Sequence, residues 1–137
     1  MNDDITEDYV SYDLAKQLRE KGFNEKCHAS FNVNHEEYMV LPHGICNTGD
    51  IYHDHLPKNW VSLPTYQMVI KWLRKKHDLI ILMNYAFSDD IEDFHSPPKW
   101  EYRIVATSSE VISYSKMYDE PEPAIEDAIK CALLYIN

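Results

Sequence analysis

Apolar positions recur at helical spacing in three stretches of this chain, and between them they alternate or run continuously as in strands. The clearest passage is Thr65–Tyr85, TYQMVIKWLRKKHDLIILMNY. There an amphipathic helix with Tyr66, Val69, Ile70, Leu73 and His77 on one face leads into the apolar run Leu79–Met83 with almost no loop. That run predicts a central strand covered on both faces. Thr65 is placed to cap the helix by accepting a bond from an orphan backbone N–H.

The first helix is predicted over Ser11–Lys21, with Ser11 as its cap and Leu14, Ala15 and Leu18 as its apolar stripe. Gly22 stands where a left-handed C-terminal residue is wanted, and Phe23 can fold back on Leu18. Gly22 is thus a helix stop rather than a ligand-binding glycine. The last helix is predicted over Glu122–Tyr135, with Pro121 and Pro123 in its first turn, where proline removes only orphan N–H groups. Ala124, Ile125, Ala128, Ile129, Ala132 and Leu133 form its core-facing stripe, and Cys131 falls beside them as a small core residue.

Two short strands are expected at Ala29–Val33 and Glu37–Leu41, turning through Asn34–Glu36. Trp100–Thr107 alternates, and with Val111–Tyr114 it predicts a hairpin turning through Ser108–Glu110. From Pro42 to Asn59 the residues are those of loops, without periodicity. Together these elements predict an α+β fold: a small antiparallel sheet with about three helices packed mainly on one face. The organisation expected is a flexible tail over residues 1–9 and a single domain over 10–137, with a long loop at about 42–59.

The pattern YVSYDLAKQLREKGF, the run LPTYQMVIKWLRKKHDLII, the strand WEYRI and the closing helix EDAIKCALLYI resemble a set of small proteins carried by bacteriophages and prophages of gut Bacteroides-type bacteria. The resemblance spans most of the chain except roughly residues 34–59 and 86–99. Its motifs are structural: helix caps, apolar stripes and a Trp-bearing strand. It implies a mobile element, a bacterial cytoplasm and an accessory role, and it brings no activity to any residue.

Composition narrows the classes. Length 137, with 45% apolar residues, bounds the chain to one ordinary globular domain. The net charge of −10 works against nucleic acid and anionic membranes as partners. The acid gathers at Asp3–Asp8, Ser88–Asp93 and Asp119–Asp127. Solvated segments are the ordinary reading of such runs, and a cation site or a mimic of nucleic acid is the sharper one. Ten tyrosines suit sheet faces or binding rims. Three widely spaced cysteines make no disulfide framework. No stretch reads as a membrane span or a signal peptide, so a cytoplasmic location in a bacterial host cell is expected.

Chemistry has few candidate seats. Five of the seven histidines lie between His28 and His55, with Cys27 and Cys46 among them. His43, Cys46, His53 and His55 supply imidazole and thiolate, the ligands that suit zinc, and Asp54 could orient an imidazole. Paired Cys-x-x-Cys spacing is absent, so a histidine-rich polar loop is the competing reading, and no cofactor is the default. No nucleophile elbow, phosphate loop or dinucleotide fingerprint occurs, and catalytic residues are expected to be none. Carboxylates Asp89, Asp90, Glu92 and Asp93 read as solvation rather than acid–base pairs, and Cys46 lacks an activating context. Lys71, Arg74 and Lys75 share a face of the second helix and could meet phosphates, with Trp72 near for stacking. Pairing with the chain's own carboxylates is the competing expectation. A non-catalytic module that binds a protein partner is therefore the leading reading. A zinc domain or metal-dependent enzyme and a nucleic-acid binder are the alternatives.

Overall fold

A computed structural model describes residues 8–27, 29–32, 40–42, 60–86, 98–108 and 110–136. Along the chain they form α1 (Tyr12–Glu20), β1 (Ala29–Asn32), β2 (Val40–Pro42), β3 (Trp60–Ser62), α2 (Tyr66–His77), β4 (Leu79–Ala86), β5 (Lys99–Ala106), β6 (Val111–Tyr114) and α3 (Pro121–Leu133). Three helices and antiparallel strands make an α+β fold, with the strands divided between two three-stranded sheets. The chain divides into two compact units, residues 1–68 and 69–137.

In the first unit, Ser11 caps α1 by accepting the Leu14 N–H at 3.1 Å. The helix closes as its sequence predicts. Gly22 has φ +89°, its N–H donates to Arg19 C=O, and the Phe23 N–H donates to Leu18 C=O at 3.0 Å. Leu14, Ala15, Leu18 and Phe23 are buried. β1 is central, with the order β2-β1-β3. The two expected strands pair, Ala29 opposite Pro42 and Phe31 opposite Val40. β3 is an additional strand beyond the expected loop, with Trp60 opposite Asn32. Its three residues are too short to show a period. Of the tail expected over residues 1–9, residues 1–7 lie outside the described residues, whereas Asp8 and Tyr9 are paired: Asp8 C=O accepts the Tyr66 N–H, Tyr9 bridges Thr65, and the next residue, Val10, donates its N–H to Pro64 C=O. The turn expected over Asn34–Glu36 and nearly all of the long loop lie outside the described residues.

In the second unit the order is β4-β5-β6. β4 and β5 pair without interruption from Leu79 opposite Ala106 to Ala86 opposite Lys99. The expected hairpin of β5 and β6 is present, with a bulge between Ile104 and Val105. Directly opposite residues share a face. One face carries Leu79, Ile81, Tyr102 and Ile104, all buried. α3 packs on it with Ala124, Ala128, Ile129, Ala132 and Leu133. Each large side chain buried there contributes about 1.5–3 kcal/mol.

One expectation is corrected here. Among the described residues β4 is an edge strand, not a central one, and Leu82 is 48% exposed. A continuous apolar run does not by itself tell a covered strand from an edge. β5 takes the centre because it has an antiparallel neighbour on either side. A single residue, Asp78, joins α2 to β4, and it holds φ +57°. Its C=O accepts the Thr107 N–H at 3.0 Å.

Candidate functional site

The structure distributes the sequence-predicted candidates unevenly. His43, Cys46, His53 and His55, with Asp54, lie outside the described residues. Among the described residues, no three His, Cys, Asp or Glu side chains are grouped to hold a metal ion.

Lys71, Arg74 and Lys75 are exposed along α2, as is Lys76. Thr65 Oγ1 accepts the Met68 N–H at 3.2 Å and fixes where this helix starts. Among the described residues none of these four cations makes an ion pair, so the expected pairing with the chain's own carboxylates is not found there. Trp72 is only 6% exposed and meets the His77 ring edge-on at 4.5 Å. Its indole is not presented for base stacking. It is buried because the apolar stripe centres on Val69, Trp72 and Leu73.

Of the acidic runs, only Asp119–Asp127 is fully described, and part of it is engaged in the fold. Asp119 meets Lys99 at 3.0 Å, with both side chains exposed, a geometry that adds little stability. Glu126 lies 3.8 Å from Lys130 one helical turn on. Asp127 accepts the Tyr118 hydroxyl at 2.7 Å.

That last bond belongs to a polar cluster between the second sheet and α3, which spacing in the sequence does not reveal. Tyr102 from β5, Tyr118 from the segment after β6, and Asp127 and Cys131 from α3 meet there. The Tyr102 and Tyr118 rings are 6.4 Å apart. Ser113 Oγ lies 3.5 Å from Cys131 Sγ. Cys131 is thus half-buried beside a hydroxyl rather than a closed core position. Burial first, and then the Cys131 thiol, push the Tyr102 phenol up to about 12. Burial, and then the bond to Asp127 and its charge, push Tyr118 up as well. Both phenols stay protonated donors at neutral pH. The cluster ties α3 to the sheet, and it pairs no nucleophile with a general base.

The sheet face turned away from α3 is of a different kind. Leu82 (48% exposed), Val111 (39%) and Tyr114 (68%) lie on it with Arg103. The Arg103 guanidinium stands 5.6 Å from the centre of the Tyr114 ring. Asn84 Nδ2 donates to the Glu101 carboxylate at 2.8 Å on the same face. Alternation over WEYRIVAT shows that β5 has such a face, but not that its side chains stay exposed.

No family model matches the chain, and no curated protein or solved structure is significantly similar to it. No helix among the described residues is long and apolar enough to cross a membrane.

Proposed function

We propose that this chain is a non-catalytic protein-interaction module, an accessory protein of a phage or prophage acting in a bacterial cytoplasm. One observation carries the interaction reading. Leu82, Val111 and Tyr114 are large apolar side chains left exposed, and they share the face turned away from α3. Aromatic and Arg side chains dominate the energetics of binding surfaces, and mixed apolar and polar composition is their usual character. Glu101 on this face is engaged by Asn84, whereas Arg103 has no ion-pair partner among the described residues. The partner this chemistry fits is a protein that offers an apolar contact for Leu82 and Tyr114 and a carboxylate for Arg103. The test is affinity capture from a Bacteroides-type host lysate with wild type, with Leu82→Ser plus Tyr114→Ser, and with Lys75→Glu. The reading expects a partner that the double variant loses and Lys75→Glu keeps. A partner retained equally by all three sinks it.

A second reading is nucleic-acid binding along α2. It is favoured by the exposure of Lys71, Arg74, Lys75 and Lys76 without ion pairs among the described residues. The net charge of −10 and the burial of Trp72 weigh against it. It expects salt-sensitive retention on single-stranded DNA that Lys75→Glu reduces.

A further inference from the structure

We infer that the outer edge of β4 is a strand-pairing site, and that its occupant is β4 of a second copy of this chain. The inference rests on the backbone of this strand, and of the face just described it shares only Leu82.

Asp78 C=O accepts the Thr107 N–H, and Asp78 stands opposite Thr107 one step before the Leu79–Ala106 pair. This sets the phase of the ladder, because bonded and non-bonded pairs alternate between antiparallel strands. Even-numbered residues of β4 exchange bonds with β5. Leu79, Ile81, Met83 and Tyr85 turn their N–H and C=O groups to the other side. The far side of β5 agrees with this phase. Trp100 exchanges two 2.8 Å bonds with Tyr118, and Tyr102 C=O accepts the Ser115 N–H. Among the described residues no backbone group pairs with the outer side of β4.

The two edges of this sheet are finished differently. β6 has four residues, carries the bulge, and is followed by Ser115, whose hydroxyl replaces a backbone acceptor for the Tyr102 N–H at 2.7 Å. Shortness and bulges are the usual protection of an edge. β4 has eight residues, LIILMNYA, in unbroken register, with no charge, no proline and no bulge. Its second half is open: Leu82 is 48% and Tyr85 54% exposed. An unprotected edge of this kind pairs with another strand.

A second copy fits this edge by symmetry. Antiparallel pairing about a two-fold axis at Met83 sets Ile81 opposite Tyr85 and Leu82 opposite Asn84, with no charge facing a like charge. The outward groups of Met83 and Tyr85 find their partners in the copy. Room for the helices follows from strand spacing. Helices standing over the two β5 strands would be about 14 Å apart at a spacing of ~4.8 Å, wider than the ~8–10 Å of packed helices. Two chains of net charge −10 repel one another, so added salt should strengthen this association.

Sedimentation of the whole chain over a range of concentrations, with hydrogen exchange on the same samples, is the test. The expected result is a reversible dimer in which the Met83 and Tyr85 amides gain protection as concentration rises. Met83→Pro removes one outward N–H at a position where an edge strand tolerates proline. It should weaken the dimer at least about tenfold while far-UV circular dichroism is unchanged. Leu82→Lys, which places a charge on the edge without touching the backbone, should weaken it too. A chain that is monomeric at every concentration overturns the inference. So does a dimer whose Met83 and Tyr85 amides stay unprotected, or one that folded Met83→Pro and Leu82→Lys leave intact. The exchange result on wild type stands even if a variant fails to fold. Capture of a different protein through Met83 and Tyr85, with no dimer, also overturns it. Loss of a partner in the Tyr114 variant with the dimer intact separates the two surfaces.

Discussion

The phenol of Tyr118 donates a 2.7 Å hydrogen bond to the Asp127 carboxylate. The backbone of Tyr118 meanwhile exchanges two 2.8 Å bonds with Trp100. One residue therefore joins the end of the second sheet to α3 through both its main chain and its side chain. Tyr118→Phe keeps the ring and the strand bonds and removes only the hydroxyl. A hydrogen bond to a charged group contributes about 1.5–3 kcal/mol, and half-burial places this one toward the lower end. Urea unfolding should show a lower midpoint with an unchanged slope.

Alkaline stability follows from the same cluster. Tyr102 is pushed up to about 12 from an ordinary value of 10.0 by burial and by Cys131, and Tyr118 is shifted in the same direction. The native state therefore holds these protons more tightly than the unfolded chain does. The stability that this contributes is complete below pH 10 and is lost as pH rises toward about 12 and beyond. Ultraviolet titration should show Tyr102 and Tyr118 ionising above the ordinary tyrosine range, and Tyr118→Phe should remove one of these late steps.

Ser115 should matter more than its partial exposure suggests. Its hydroxyl accepts the Tyr102 N–H at 2.7 Å and donates to Lys116 C=O at 2.7 Å. Ser115→Ala leaves a part-buried amide without its acceptor, which costs about 1–3 kcal/mol. The Tyr102 amide should exchange faster in this variant, while amides in the first unit should not.

Among the described residues two hold left-handed backbone, and they should respond oppositely. Gly22, at φ +89°, has open space for 4 Å around the point where an alanine methyl would stand, so Gly22→Ala costs only the backbone penalty, about 1 kcal/mol. Asp78, at φ +57°, already bears such a penalty. Asp78→Gly should stabilise the protein by roughly 0.5–1 kcal/mol, because the bond from Thr107 uses the main chain. Thermal unfolding of the two variants checks both signs.

The helices were legible because each is written twice, in its period and in its ends. Ser11, Gly22 and Phe23 mark α1, Thr65 opens α2, and Pro121 with Pro123 opens α3. The β5–β6 hairpin was legible from the alternation of WEYRIVAT. The edge position of β4 was not, because Leu79–Met83 reads alike whether a second neighbour is present or absent. β3 was too short to carry a period. The Tyr102–Tyr118–Asp127–Cys131 cluster joins residues from a strand, a loop and a helix, and only the packing of α3 on the sheet brings them together. Trp72 looked available beside three cations, yet its neighbours Val69 and Leu73 draw it into the buried stripe.

The central claim is that the sheet face bearing Tyr114 meets a protein. It is tested most directly by a photo-crosslinking amino acid placed at Tyr114 in cells of a Bacteroides-type host, with a second at Lys71 on α2 as the comparison. The account predicts one discrete protein adduct from position 114, lost when Leu82 and Arg103 are replaced by Ser and Ala, and none from position 71. No adduct at 114, together with nucleic acid crosslinked at 71, would contradict it and favour α2 as the working surface.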